Sequence, residues 1–246
     1  MSRRPSLIIA LLLVISWMAI TIGGGLAQAG GTTALDELAT SGIVFAIPAA
    51  AAFLLAAVVA FGWTRSIGLT ISHANRTLLL PSLTVATLLA LSAANGLPAN
   101  EILLLLVVNT AFVGISEELA FRGVLLSALL GRFSIRRAVL IGALLFGVVH
   151  SFNAFLTGDL GQAVTQSVIA VGMGIWAGTL RVKTDSLLGP MLLHALWDLA
   201  LFCVLAAATG SGLAAATSLL AILFVFVLAV WGWKQLGGDE RQPRSA

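Results

Sequence analysis

The chain sets six ionisable residues inside otherwise apolar stretches: Glu117, Glu118 and Arg122 in one, His150 in a second, and His194 with Asp198 in a third. An ionisable group within a membrane span costs several kcal/mol, so each of these is a functional expectation that needs a partner. Their spacing supplies geometry. Glu118 and Arg122 stand four apart, on one helical face where opposite charges pair, and Phe146 with His150 and His194 with Asp198 repeat that interval. Glu117 is turned about 100° from Glu118 on a 3.6-residue helix, which leaves it outside that pair. At about 1.5 Å per residue, Glu117 lies roughly 20 Å from Arg132, His150 roughly 20 Å from Arg136, and His194 and Asp198 roughly 15 to 20 Å from Lys183. All four then share one depth, provided the helix runs unbroken from Ser116 to Gly123.

Two carboxylates and two imidazoles at one level are the parts of a water-activating site. Glu117 can take a proton from water as general base, His150 can orient that water, and His194 with Asp198 can stabilise an oxyanion or hold a metal. Low dielectric strengthens each of these interactions. Plainer roles are also available. Glu118 with Arg122 reads first as an ion pair that holds the fold, a histidine in a span is often a helix-to-helix hydrogen bonder, and Asp198 can simply fix the tautomer of His194. His73 lies in a basic loop and is assigned nothing.

The elements that must position these groups follow from composition. Of 246 residues, 59% are hydrophobic and 9% charged, against about 25% charged in a soluble domain. That excludes an ordinary soluble protein, and disorder is excluded because it needs low hydrophobicity and high charge. The expectation is an all-α polytopic membrane protein, read over residues 1–246 as one membrane domain. A crossing needs about 20 apolar residues, and eight stretches qualify, at roughly 6–27, 41–63, 77–95, 101–121 or beyond, 138–156, 161–180, 186–208 and 213–233. The first has a rival reading as a secretory signal, with Ala27-Gln28-Ala29 as its cleavage site, but its apolar run is longer than such signals carry.

With the amino terminus inside, all 13 lysines and arginines fall in segments on the inner side, as the positive-inside rule requires. The outer loops carry Asp36, Glu37, Glu101 and Asp159 instead. Both termini are therefore expected to be cytoplasmic. Cys203 is the only cysteine, so no intrachain disulfide is possible.

Glu117 to Arg122 reads EExxxR, Phe146 to His150 reads FxxxH, and His194 to Asp198 reads HxxxD. This ordered trio resembles the CPBP family, which contains the type II CAAX prenyl endopeptidases and the bacterial Abi proteins. The resemblance covers about residues 101–205. It implies an intramembrane endopeptidase in which Glu117 activates water with help from His150, His194 and the residue at 198 stabilise the oxyanion, and Glu118 with Arg122 supports the site. The prenyl endopeptidases have Asn where this chain has Asp198. Asn donates a hydrogen bond, whereas an ionised Asp cannot. Asp198 is then protonated, or a metal ligand, or His194 acts without it.

The family is commonly called metalloprotease, yet no HExxH occurs here, so the cofactor stays open, with a divalent metal such as zinc as the candidate. The Gly-x-Ser-Gly and Gly-x-Gly-Asp patterns of other intramembrane proteases are absent as well. The expected partners are the lipid bilayer and a membrane-associated peptide or protein substrate, cut near the cytoplasmic half of the bilayer; nucleic acid is not expected. The alanine-rich, short-looped chain fits the bacterial cytoplasmic membrane. Two other readings are a non-catalytic scaffold or immunity protein of the same fold, and a proton-coupled carrier, against which stands the lack of an internal repeat.

Overall fold

A computed structural model describes residues 4–71, 75–207 and 212–236; His73 lies outside them. Among the described residues the ordered elements are all helical. In chain order they are α1 (Leu7–Ala29), α2 (Leu35–Ser41), α3 (Ala46–Ala60), α4 (Leu79–Ala94), α5 (Asn100–Glu118), α6 (Leu126–Leu129), α7 (Ile135–Ser151), α8 (Asn153–Thr157), α9 (Leu160–Thr184), α10 (Leu188–Ala206) and α11 (Gly212–Gln235).

Among the described residues, seven helical stretches are long and apolar enough to cross a membrane, or eight if the bent pair α2 and α3 forms one crossing. The outward faces confirm the solvent these helices suit. Ile8, Leu83, Leu104, Val168, Leu192 and Leu223 are all more than half exposed, and helices apolar on every side belong in hydrocarbon. Inward, one buried cluster runs from Ala10 on α1 through Trp176 on α9 to Leu228 on α11.

The second expected span is corrected. The helix within 41–63 is α3 alone, whose 15 residues reach only about 22 Å, and α2 precedes it as a separate helix at 88°. The bend is held from α5. Asn109, which is buried, donates through Nδ2 to the carbonyls of Ala39 and Gly42 at 2.8 and 2.9 Å, and accepts from the Val44 amide at 3.0 Å. Gln28 holds the same turn from α1, bonding to Ile43 and Phe45.

The fourth expected span is one helical rod from Asn100 to Leu129, but not a uniform one. Between α5 and α6 the residues Leu119–Leu125 form a π-helical stretch, and such i→i+5 bulges occur frequently at functional sites. The continuity on which the depth argument depended holds, with a widened turn at Arg122.

The bundle has two chemically distinct ends. At one lie Arg4, Arg65, Arg76, Arg132, Arg136 and Lys234, and at the other Asp36, Glu37, Glu101 and Asp159. Contacts between chain-distant loops fix this grouping. Arg4 donates to the Leu130 carbonyl at the first end, and the Thr33 amide donates to the Leu156 carbonyl at the second.

The basic end is closed by the segment after α3. Arg181 on α9 donates through Nε to the Ile67 carbonyl at 3.0 Å and through Nη2 to the Ser66 carbonyl at 3.3 Å. Leu187 N donates to Gly68 O, Ser127 to Ser66 O and Ser186 to Thr70 O. Gly68, at φ 83°, lies where an added Cβ would collide with the Arg181 guanidinium, so glycine alone meets both the left-handed backbone and the close approach.

Candidate active site

The six ionisable residues converge at mid-bundle. Glu118 has no exposed surface, and its Oε1 lies 3.0 Å from Arg122 Nη1 and accepts a hydrogen bond from His194 Nδ1 at 2.8 Å. The expected pair is therefore a triad, with one carboxylate joining the π-helical stretch to α10. Across from it, His194 Nε2 faces Asp198 Oδ2 at 3.5 Å and Glu117 Oε2 at 3.8 Å. His150 Nε2 is also 3.8 Å from Glu117 Oε2. Glu117 and Glu118 do point to different sides, as the rotation per residue requires.

The tautomer of His150 follows from its partner. Its Nδ1 is 2.8 Å from the Phe146 carbonyl, and a carbonyl only accepts, so Nδ1 carries hydrogen and a neutral ring keeps its lone pair on Nε2, toward Glu117. Phe146 itself is buried and lies against Arg122 and both histidines of the site. The Arg122 guanidinium carbon stands 4.1 Å from its ring centroid, and the His150 ring meets it edge-on at 4.4 Å. This cation–π contact and the Glu118 carboxylate together offset the cost of burying Arg122.

Close packing brings the helices near enough for these contacts. A Cβ on Gly114 of α5 would stand 2.6 Å from the Met191 carbonyl of α10 and 3.0 Å from Ala195; His194 sits between those two positions in sequence. On α1, Trp17 Nε1 donates to Ser116 at 2.6 Å, which anchors the residue just before Glu117.

A cavity of about 350 Å³ is bounded by Glu117, His150, His194 and Asp198. From there its walls follow α1 from Trp17 to Gly25, α9 from Met173 back to Gln162, and α10 from Trp197 to Leu205, with α2 alongside. None of its lining residues is Lys or Arg. Glu117 lines this space, and its Oε2 is buried and makes no hydrogen bond within the protein.

Among the described residues, no group of three or more His, Cys, Asp and Glu side chains is placed to hold a metal ion. Ligand atoms at zinc distances of about 2.0–2.2 Å in a tetrahedron lie roughly 3.4 Å apart, and the two 3.8 Å separations around Glu117 are wider. The residues present do not form the metal site that the sequence left open, and no step below runs through a metal.

Sequence reasoning did not single out Asn109, Ser116 or Trp17. Asn109 had a signal, a polar side chain in an apolar stretch. Trp17 resembled any other lipid-facing or packing tryptophan.

Among known families, the model described as Rce1-like, type II CAAX prenyl endopeptidase, matches residues 99–200. No curated protein and no solved structure matches the chain. The matched stretch contains all three motifs and nearly coincides with the core expected at 101–205. It supports the CPBP family and, in general terms, endopeptidase activity of the CAAX type.

Proposed function

We propose, with membership of the CPBP family over residues 99–200 as the premise, that this integral membrane protein hydrolyses a peptide bond of a membrane-associated peptide or protein. One observation carries the reading: Glu117 Oε2 is buried without a hydrogen-bond donor, at a cavity wall, with two imidazole Nε2 atoms 3.8 Å away. A water about 2.8 Å from Glu117 Oε2 and from His150 Nε2 fits this separation.

Glu117 takes one proton from that water while His150 Nε2 accepts its other hydrogen and aims the oxygen. Attack on the substrate carbonyl carbon gives a tetrahedral oxyanion, which His194 Nε2 stabilises. That role requires hydrogen on both nitrogens of His194, with Nδ1 bonded to the Glu118 carboxylate. Glu117 then passes its proton to the amide nitrogen, the C–N bond breaks, and the hydroxyl of water remains on the new carboxyl group. Glu118 and Arg122 act through His194 and Phe146, as positioning residues. The bacterial cytoplasmic membrane is the proposed location.

The test is amino-terminal peptide profiling of membranes from cells expressing the wild type or Glu117→Ala at matched levels. New termini that depend on Glu117 are expected. Identical profiles from two folded proteins would remove the peptidase reading and leave the scaffold or carrier.

A further inference from the structure

The cavity is one-sided. Its walls lie mostly in the half of the bundle nearer the acidic end: α1 from Trp17 to Gly25, α9 from Gln162 to Met173 and α10 from His194 to Leu205, with α5 reaching inward from Asn109 to Glu117. Its walls reach Asp36 on α2 and the exposed Gln162 on α9. Toward the basic end the site is sealed. Phe121, Val124, Leu125 and Leu129 are at most 1% exposed, and beneath them the 66–70 segment is bonded to Arg181 and Leu187. Among the described residues no Lys or Arg lines the cavity, which does not extend to the arginine-rich loops.

Basic loops mark the cytoplasmic face. We propose that the substrate reaches Glu117 from the opposite, extracytoplasmic face, so that the polypeptide segments cut are those that a membrane protein exposes on that side. The proposal rests on the peptidase reading for what is cut, and on the cavity and charge asymmetry alone for the side of entry. It reverses the expectation of a cut near the cytoplasmic half.

The experiment uses single cysteines in the full chain carrying Cys203→Ala, with Asp36→Cys and Gln162→Cys at the mouth and Arg132→Cys at the basic end. An impermeant maleimide is added to intact spheroplasts and, separately, to permeabilised ones. Labelling of both mouth positions in intact spheroplasts is expected, with Arg132→Cys labelled only after permeabilisation. The reverse pattern, or labelling of both ends in intact spheroplasts, overturns the proposal. The same cells supply the termini profile. Glu117-dependent termini within extracytoplasmic segments support the side of entry, and termini confined to cytoplasmic segments overturn it. A profile with no Glu117-dependent termini, beside mouth-only labelling, sinks the peptidase reading while the side of entry stands.

Discussion

Glu118 serves two partners with one oxygen, Arg122 at 3.0 Å and His194 Nδ1 at 2.8 Å, and substitution can separate the two services. Glu118→Ala leaves Arg122 buried without its counter-charge, which costs about 3–5 kcal/mol for a broken buried pair. The double variant Glu118→Ala, Arg122→Met removes that charge and is expected to recover most of the lost thermal stability in detergent. It does not recover cleavage, because His194 Nδ1 still lacks its acceptor; recovery of both would reduce Glu118 to a structural role. Asp198 is tested the same way. Asp198→Asn keeps a polar group 3.5 Å from His194 Nε2 and is expected to retain cleavage, whereas Asp198→Ala slows release of new termini at matched protein levels. The six residues were legible because an ionisable side chain stands out in apolar sequence. The bond from Glu118 to His194 was not, since which carboxylate meets which imidazole depends on the register of two helices 76 residues apart.

Helices were legible wherever hydropathy alone decides them. The π-helical stretch at Leu119–Leu125 was not, because an extra residue per turn alters hydrogen bonding without altering composition. Nor was the 88° bend before α3. The chain is apolar on both sides of it, and Pro48 lies in the first turn of α3, where proline is tolerated. The contact that most constrains the site is that of α5 with α10 at Gly114. Gly114→Ala puts a methyl against the Met191 carbonyl, and overpacking of this kind costs typically about 1–3 kcal/mol. Backbone cannot yield as a side-chain tip does, so α10 must shift and carry His194 away from Glu118 and Glu117. The expected result is a lower melting temperature together with a loss of cleavage per folded molecule. Gly114→Ala with full activity would show that the site tolerates movement of α10.

The segregation of charge between the two ends of the bundle was legible in the positions of lysine and arginine, but the direction in which the cavity opens was not. That direction depends on how the 66–70 segment, which hydropathy reads only as a connection, packs beneath the site. Arg181 is the centre of that closure, and its own chemistry says how strongly. The Asp185 partner is 90% exposed, so the ion pair adds little, while the bonds to the Ser66 and Ile67 carbonyls are buried or nearly so. Arg181→Met removes the Ile67 carbonyl's donor and leaves the Ser66 carbonyl to Ser127, at about 1–3 kcal/mol for a buried group left unsatisfied. Hydrogen exchange of the amides from Arg65 to Thr70 is expected to quicken and the melting temperature to fall. Cleavage per folded molecule stays unchanged, because no cavity wall moves. If Arg181→Met instead slowed cleavage while exchange of this segment stayed slow, the basic end would have a part in the reaction that a closed floor cannot have.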